Sequence, residues 1–413
     1  MVVGSIPTHG AEISGANDRA PVKSPRTSLF MGTEKKKKSS NKNLHNANKA
    51  KKDEFYTQLI DIEKELKHYK EQFKNKVVYC NCDDPFESNF FKYFASNFKA
   101  LKLKRLIATS YKPSPIANTQ LGLFGDDKTL ESIKGRPKTN ANKLIINEVD
   151  DLDGDGAFDI RDIAEQLKKN KNNEWSPLEG DGDFRSPESI ELLKQADIVV
   201  TNPPFSLFRE YIAQLIEHNK KFLILGNMNA ITYKEVFKLI KENKLWSGYG
   251  FNMSMVYKTP YNNDLEANKQ FVKGKGYNPN DGYVKVPAVN WYTNLDTGKR
   301  HENLVFYKKY SSKEYPKYDN YEAINVDKVS DIPMDYEGVI GVPITFLDKY
   351  NPDQFEIIWI ADRQNSEGLR IKTYTIEDAK NYNDLNRGPV VSINGELKVV
   401  YMRILIKNKK PQK

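Results

Sequence analysis

From Asp53 onward the chain alternates helical apolar spacing with short, unbroken apolar runs, and this alternation is the strongest restriction on its fold. Unbroken runs of a few apolar residues are typical of strands buried on both faces, as in a parallel sheet covered by helices. Such runs occupy residues 77–79, 106–108, 144–146, 198–200 and 222–225. The sequence therefore predicts an α/β fold built on a doubly wound parallel sheet with helices on both faces.

Helices are expected where apolar residues recur at helical spacing, around residues 58–70, 90–98, 160–169, 206–219 and 233–242. Beyond Trp246 the sequence becomes rich in Tyr, Asn and Gly. The alternating runs 286–292 and 304–307 predict a hairpin at the edge of the sheet. Short strands are expected at 339–344, 355–360 and 399–406. Residues 311–413 therefore predict a smaller, mostly β domain that follows a larger domain of residues 53–310.

The first 52 residues have no sustained apolar period and end in a lysine-rich stretch, which predicts a disordered basic tail over residues 1–52. Residues 4–10 match what the T-arm of a transfer-RNA gene encodes, and Met31 stands ahead of the lysines, so we expect translation to start at Met31. The tail either keeps the protein in solution or contacts DNA phosphates. Over the whole chain, 64 Lys and Arg against 55 Asp and Glu favour a polyanionic partner without requiring one.

The cysteines and the lengths of the apolar runs exclude several classes of protein. Cys80 and Cys82 are too close together for a useful disulfide and too few for a zinc site, so a reducing, cytoplasmic location is expected. No apolar run approaches the length of about 18 residues that a membrane span needs. The N-terminus lacks the order of a signal peptide. We expect an intracellular protein with no membrane partner.

One tetrapeptide, Asn202-Pro203-Pro204-Phe205, indicates a chemistry. It directly follows the buried run that ends at Thr201, so it lies at the carboxyl end of a strand, where open α/β sheets bind ligands. An Asn/Asp-Pro-Pro-aromatic sequence arises by chance in a chain of this length about once in a hundred. The tetrapeptide is therefore a candidate catalytic turn.

The residue types of this turn fit the methylation of an aromatic amine. The exocyclic amine of adenine is a poor nucleophile, because its lone pair is delocalised into the ring, so both of its N–H groups need acceptors. Asn202 offers its side-chain carbonyl and Pro203 its backbone carbonyl, while successive prolines stiffen the turn and carry no N–H. Phe205 offers an apolar face for a base turned out of a duplex. The alternative is a rigid strand-to-helix turn with Phe205 in the core.

With three further segments, the tetrapeptide resembles the EcoRI-type adenine-specific DNA methyltransferases, and the resemblance covers most of residues 53–413. The segments are Asp53-Glu54-Phe55-Tyr56-Thr57-Gln58, Tyr79-Cys80-Asn81-Cys82-Asp83-Asp84-Pro85 and Gly182-Asp183-Phe184-Arg185-Ser186, in the order that the family shows. The resemblance implies a Rossmann-like methyltransferase sheet, S-adenosyl-L-methionine as cofactor, and methyl transfer to an adenine flipped out of double-stranded DNA. It also implies that residues 311–413 are the target-recognition region.

The resemblance implies cofactor contacts for two of these segments. Phe55, Tyr56 and Thr57 would lead to the methionine end of the cofactor; alternatively, Thr57 caps a helix over 58–70. The cofactor turn after the first strand would contain Cys80, Asn81, Asp83 and Asp84. This turn departs from the usual cofactor loop because it contains no glycine.

The resemblance also implies contacts with two adenine rings. Asp183 and Phe184 would bracket the adenine of the cofactor, the carboxylate accepting from its amine and the ring packing on its face; alternatively, they are a polar turn and a core aromatic. Trp291 and Tyr292 would wall the pocket of the flipped base, or else they are hairpin packing. The residue that binds the ribose hydroxyls is unassigned, because the second predicted strand ends without an acid.

The carboxylates of one acidic segment either form a calcium site or belong to a turn that binds nothing. Positions 1, 3, 5, 6, 9 and 12 of a calcium loop would be filled by Asp151, Asp153, Asp155, Gly156, Asp159 and Asp162. Methyl transfer needs no metal and the cytosol is poor in calcium. We therefore favour an acidic turn that binds nothing, and expect no metal.

The sequence leaves two other functions open. Amine methyltransferases that act on RNA or on a protein glutamine also use Asn-Pro-Pro-aromatic turns, and a non-catalytic DNA-binding protein could retain a methylase fold. The basic tail and the C-terminal segment favour DNA as the partner, in a restriction–modification system. We expect a monomer, and a cognate restriction endonuclease, if there is one, that shares the recognition site without forming a stable complex.

Overall fold

The apolar runs of the sequence form strands of a mixed β-sheet in the computed structural model, which describes residues 56–82, 88–111, 141–150, 172–259, 266–362 and 367–412. In this part of the chain the sheet has ten strands: β1 (Tyr56–Thr57), β2 (Val77–Cys80), β3 (Arg105–Thr109), β4 (Asn142–Ile146), β5 (Glu174–Pro177), β6 (Ile198–Thr201), β7 (Lys221–Asn227), β8 (Trp246–Ser247), β9 (Met253–Lys258) and β10 (Tyr283–Thr293). Their order is β1-β9-β10-β7-β6-β2-β3-β4-β5, and β8 pairs with β10. The predicted tail, the predicted helix at 160–169 and the acidic segment from Asp151 to Asp162 lie outside the described residues.

The parallel pairs of the described sheet lie at its centre. β3, β2, β6 and β7 pair with one another in parallel. β4 and β5 continue the sheet on one side in antiparallel pairing, and β10, β9 and β1 continue it on the other. The predicted parallel sheet is therefore confirmed for four strands and wrong for residues 144–146, because β4 runs antiparallel to β3. A strand that is buried on both faces has the same apolar run in either direction.

Helices cover both faces of this sheet. The described helices are α1 (Leu59–Leu66), α2 (Asn89–Ser96), α3 (Pro187–Gln195), α4 (Phe208–Glu217), α5 (Lys234–Lys241), α6 (Glu266–Gly274) and α7 (Tyr382–Leu385). α1 and α2 bury their apolar sides in the core on one face, and α3, α4 and α5 bury theirs in the core on the other. Neighbouring strand residues alternate between the two cores, as Val78 and Tyr79 do. None of the described helices is long and apolar enough to cross a membrane.

The last hundred residues add a second sheet. Its strands are β11 (Ile324–Asn325), β12 (Val339–Pro343), β13 (Phe355–Ala361) and β16 (Arg403–Asn408), in the order β11-β12-β16-β13. A separate hairpin is formed by β14 (Val390–Ile393) and β15 (Glu396–Val399). The predicted strand over 399–406 is therefore interrupted between Val399 and Arg403. The apolar side of α5 lies in the same core as this second sheet, and the rings of Phe237 and Trp359 are 5.6 Å apart.

The predicted hairpin between residues 286–292 and 304–307 is not formed. β10 is an interior strand paired with β7, β8 and β9, and residues 304–307 belong to none of the described strands. Leu304 instead exchanges two backbone hydrogen bonds with the side-chain amide of Gln354, at 2.8 and 2.7 Å. Phe306 is buried, whereas Val305 and Tyr307 are 90% and 71% exposed. The alternation thus reflects an extended segment that packs on one side.

Candidate active site

The carboxyl ends of β2 and β6 lie side by side where the chain connections diverge. After β2 the chain reaches β3 on one side of this pair, and after β6 it passes through α4 to β7 on the other side. A crevice forms at such a point, and it is the common ligand site of open α/β sheets. Asn81 directly follows β2 and Asn202 directly follows β6. The fold therefore brings together two of the segments that the sequence singles out.

The turn after β6 is built from Asn202, Pro203, Pro204 and Phe205, and it leads through a short 3-10 helix, Phe205–Leu207, into α4. Pro203 is buried, and the other three residues are half-buried. Phe205 packs with part of its surface on the core that α1 and α2 share, so the alternative of a core phenylalanine holds for only part of the ring. The turn is thus seated firmly while Asn202 and Phe205 keep some exposed surface.

The turn after β2 is held by hydrogen bonds. Asn81 is 2% exposed. The hydroxyl of Tyr211, on α4, donates to Oδ1 of Asn81, and the hydroxyl of Thr201, the last residue of β6, donates to the backbone carbonyl of Asn81. Cys80 is buried, and Cys82 is half-buried with a positive φ of 62°. Asp83 and Asp84 lie outside the described residues.

Gly182 brings the segment with Asp183 and Phe184 against the end of β3. Its φ is +78°, and a Cβ at this position would lie 2.0 Å from the backbone oxygen of Ser110, so the close approach requires glycine. Phe184 is 3% exposed, and its ring centroid lies 5.0 Å from that of Tyr211, which anchors Asn81. Its carbonyl accepts a hydrogen bond of 3.0 Å from Nε2 of Gln214. The segment is thereby fixed next to the turn after β2.

Arg185 holds the carboxylate of Asp183 with two side-chain hydrogen bonds. Its Nε lies 2.9 Å from Oδ1, and one terminal nitrogen lies 2.7 Å from Oδ2. The other terminal nitrogen donates to Glu210, in the first turn of α4, at 2.9 Å. These hydrogen bonds from Arg185 keep the pKa of the Asp183 carboxyl below its usual range. Asp183 is therefore an ionised acceptor whose orientation depends on Arg185.

The N-terminal segment reaches the same edge of the sheet through α2. At the start of this helix, Nδ2 of Asn89 donates to the backbone carbonyl of Thr57 at 2.7 Å. Thr57 is 3% exposed, and β1 pairs with the end of β9. The alternative that Thr57 caps the first helix is wrong, because Gln58 is the residue before α1 and no side chain caps this helix. Phe55 lies outside the described residues, and of Tyr56 only the backbone is described.

Trp291 and Tyr292 are core residues, at 0% and 1% exposed. Trp291 packs 6.0 Å from the ring of Phe90 on one face of the sheet, and Tyr292 faces the opposite core. β10 is an interior strand covered on both faces, so consecutive residues are buried on opposite sides. The structure thus corrects the expectation that these rings wall a base pocket, since they present no surface to a ligand.

Tyr292 instead supports the turn after β6 from beneath. Its ring lies 4.9 Å from that of Phe208, the first residue of α4. Its hydroxyl donates to the carbonyl of Asn227, at the end of β7, at 2.8 Å. Burial raises the pKa of this hydroxyl, which therefore stays a neutral donor. A Cβ on Gly226 would lie 2.4 Å from the Phe208 ring, so this packing is close on both sides.

Sequence reasoning missed the supporting roles of Thr201, Tyr211 and Tyr292. A signal for Tyr211 exists: it stands three residues after Phe208 on the inward side of α4, and a buried tyrosine needs an acceptor for its hydroxyl. Within the described ranges, no group of three or more His, Cys, Asp and Glu side chains could hold a metal ion. The described residues of the site contribute hydrogen-bonding groups, aromatic rings and backbone.

Comparison with known proteins identifies the family that this chain resembles. The family model described as adenine-specific methyltransferase EcoRI matches residues 43–409. The Type II methyltransferase M.EcoRI of Escherichia coli is 45% identical over 379 residues, which are 91% of this chain and 99% of that protein. The Type II methyltransferase M.MgeORF184P of Mycoplasma genitalium is 38% identical over 371 residues, 88% of this chain and 98% of its own. M.MpnI of Mycoplasma pneumoniae is 38% identical over 370 residues, 89% of this chain and 98% of its own. Among solved structures, no significant match exists.

Proposed function

Because this chain belongs to the family of EcoRI adenine-specific methyltransferases, we propose that it methylates the exocyclic amine of an adenine flipped out of double-stranded DNA, with S-adenosyl-L-methionine as methyl donor. The similarity to three Type II methyltransferases extends over nearly the whole length of each of them. The chain is therefore an adenine-specific methyltransferase of a restriction–modification system. The observation that carries the proposed mechanism is the position of Asn202 at the end of β6, directly beside the Asn81 turn at the end of β2.

The architecture supports a Rossmann-like methyltransferase sheet as the frame of this site. The four parallel strands change their direction of winding between β2 and β6, as a doubly wound sheet does at its ligand site. The second sheet and the β14–β15 hairpin lie within residues 311–413, which we propose as the target-recognition region.

The groups at the crevice fit S-adenosyl-L-methionine. The ammonium group, the ribose hydroxyls and the adenine amine of this molecule all donate hydrogen bonds, and the crevice offers acceptors. Asp183 is an ionised carboxylate at the edge of the crevice. Backbone groups at the ends of β1 and β2 belong to Thr57, Cys80 and Asn81. Phe184 supports the Asp183 segment from the core. We assign the cofactor to these residues together with Phe55, Tyr56, Asp83 and Asp84 of the same segments.

The bound cofactor would supply an electrophilic methyl group on a sulfonium; as the bond from this methyl to the amine nitrogen forms, the bond to sulfur breaks, S-adenosyl-L-homocysteine leaves and the amine releases one proton to water. The task of the protein is then to hold the adenine amine in line and to make its lone pair available. Oδ1 of Asn202 and the carbonyl of Pro203 accept hydrogen bonds from the two N–H groups of the amine. The half-exposed ring of Phe205 packs on the flipped base. No N–H of the two prolines competes for these acceptors, so positioning and electrostatics account for the rate.

A methyl-transfer assay tests the substrate class. Incubation with tritiated S-adenosyl-L-methionine is expected to label duplex DNA on adenine N6 and to leave RNA and protein unlabelled. Label in RNA or on protein glutamine, with none in DNA, would exclude DNA as the substrate.

Asn202→Ala tests the catalytic assignment against a non-catalytic DNA-binding role. Loss of one acceptor at the reacting amine is expected to lower kcat by roughly 100- to 1,000-fold, while DNA affinity stays unchanged. Asn202→Asp, which keeps an oxygen at this position, is the matched control and is expected to retain more activity. Wild-type activity in Asn202→Ala would refute the assignment.

The remaining partner assignments belong to the same proposal. We propose that the enzyme acts as a monomer, and that any cognate endonuclease shares its recognition site without binding it stably. Light scattering of the purified protein, alone and with the endonuclease, measures both.

A further inference from the structure

A ribbon of β9 and β10, with the two residues of β1 paired to the outer side of β9, projects from the end of the sheet that holds Asn202. β10 pairs with β7 over residues 289–293, and Val289 lies opposite Asn227, the last residue of β7. Residues 283–288 thus continue past the carboxyl end of β7, and 283–286 pair with 255–258 of β9. At about 3.3 Å per residue, this ribbon extends roughly 20 Å beyond the parallel strands. Since β7 alone separates β10 from β6, its base lies about 10 Å to the side of the Asn202 turn.

A β-bulge sets the direction of this ribbon. The pairing register of β10 with β9 shifts between Val286 and Val289, and Ala288 has a positive φ of 58°. Bulges of this kind bend a strand pair and increase its twist. The ribbon therefore leaves the plane of the sheet at a fixed point, and α6 packs against it there.

Three lysines of the ribbon and of the chain just after α6 lie near aromatic rings, and Lys273 stands in the last turn of α6. We call the four together the lysine patch: Lys258, Lys273, Lys275 and Lys285. Nζ of Lys285 lies 4.6 Å from the centroid of the Phe271 ring, and Nζ of Lys275 lies 5.8 Å from the same centroid. Nζ of Lys258 lies 6.0 Å from the Tyr283 ring, which in turn packs 4.8 Å from the Tyr277 ring. The rings hold these three lysine stems, because cations are attracted to aromatic faces.

The charge of the lysine patch is not neutralised within the described chain. None of its four ammonium groups lies within 4.0 Å of a described carboxylate, whereas exposed lysines elsewhere often do, such as Lys244 with Glu242 at 2.8 Å and Lys317 with Glu322 at 3.4 Å. Lys275 acts on Asp61 only through space, where it lowers a pKa that burial raises. The patch therefore offers positive charge to an anion from outside.

We propose that the lysine patch binds the phosphate backbone of the DNA duplex whose adenine enters the site at Asn202. This inference rests on the proposed function. Lysine is a point charge on a flexible stem, so it neutralises phosphates without reading bases, and such contacts set the position of a protein on the duplex. The patch lies at the end of the sheet where the flipped base must enter. Its role is to orient the duplex over the catalytic turn.

The test compares two charge-neutralised variants. Lys273→Gln/Lys275→Gln removes two exposed charges of the patch. The control, Lys74→Gln/Lys104→Gln, removes two exposed lysines that precede β2 and β3, at the opposite edge of the sheet. Affinity for a fluorescein-labelled duplex of mixed sequence is measured by anisotropy over a range of salt concentrations, and thermal melting checks that both variants are folded.

The patch variant is expected to bind all duplexes more weakly, with the slope of log Kd against log salt reduced by about one for each lysine removed. Lys273→Arg/Lys275→Arg should restore both, and kcat at saturating DNA should match that of the wild type. If the patch variant had the same slope and the same Kd as the control variant, the inference would be overturned. It would also be overturned if the patch variant lost affinity for RNA but not for duplex DNA. Failure of the proposed function differs from both: the wild-type protein itself would then transfer no methyl group to DNA.

Discussion

The turns after β2 and β6 lie at the ends of neighbouring parallel strands, yet they are made rigid in different ways. After β6, two successive prolines fix the backbone, so the stiffness is local and covalent. After β2, Asn81 is fixed by hydroxyl groups of Thr201 and Tyr211, which are 120 and 130 residues further along the chain. The first turn is therefore visible in four consecutive residues, and the second depends on the assembled fold.

The segment around Gly182 belongs to the second kind, and there we expect the largest effect of a single substitution. Gly182→Ala places a methyl group 2.0 Å from the oxygen of Ser110, at a positive φ, and should cost about 3 kcal/mol of unfolding free energy. Urea unfolding measures this change. Gly180→Ala is the control, because no heavy atom lies within 4 Å of its Cβ position. Equal stabilities of the two variants would show that the close approach to β3 is not needed.

Tyr211→Phe tests the hydrogen bonds of the turn after β2. Loss of the hydroxyl leaves the buried Oδ1 of Asn81 without this donor, which should cost about 1 to 2 kcal/mol of stability and raise the KM for S-adenosyl-L-methionine. Tyr318→Phe removes a comparable hydroxyl, 2.9 Å from Asn325 in the second sheet, and should reduce stability without changing this KM. If both variants had the wild-type KM, the Asn81 turn would not belong to the cofactor site.

Pro203→Ala tests the covalent rigidity of the turn after β6. Alanine has a wider choice of φ and adds an N–H, so we expect a stability loss of about 0.5 kcal/mol and a lower kcat, with the KM for the cofactor unchanged. Pro187→Ala, at the first position of α3, changes the unfolded chain in the same way away from the site. Steady-state kinetics at saturating DNA separates the two. A kcat equal to that of Pro187→Ala would mean that hydrogen bonds hold this turn as well.

The smallest effect is expected for Arg185→Gln, and it depends on pH. Because Arg185 lowers the pKa of Asp183 below 3.8 in the folded state, the pair stabilises the protein above that pH and loses this contribution as the pH falls through the lowered pKa. The variant should lack the contribution at neutral pH and lose less stability on acidification. Urea unfolding at a series of acidic pH values measures the difference, which solvent screening keeps small. Glu210→Gln, which leaves the Asp183 pair intact, should behave like the wild type.

Much of the fold could be predicted from the sequence because burial on both faces marks each strand. The runs at 77–79, 198–200 and 222–225 became β2, β6 and β7 with small shifts of their ends. Pairing partners and strand direction were less accessible, since β4 has the same apolar run as its parallel neighbours. Residues 304–307 show the complementary error, in which one-sided burial imitates a strand that has no partner in the described sheets.

In the candidate site, too, features set by local sequence could be predicted and features set by distant contacts could not. Asn202 to Phe205 could be recognised because proline and asparagine impose their conformation locally. The support from Tyr211 could not, since a tyrosine on a helix does not indicate which of many distant acceptors it will meet. Trp291 and Tyr292 were misassigned because β10 was taken for an edge strand, whereas β9 and β1 extend the sheet beyond it.

The position of α5 affects how enzymes of this kind can acquire new specificities. Phe237 packs on Trp359, and Nζ of Lys241 lies 5.1 Å from the centroid of the same indole ring, so this helix beside the ten-stranded sheet is fitted to one particular strand of the second sheet. A C-terminal segment transplanted from a relative would carry its own counterpart of β13 and would have to match this helix before it could serve as the proposed target-recognition region. Under that proposal, we expect the recognised sequence to diverge through stepwise substitutions within the segment more readily than through exchange of the whole segment.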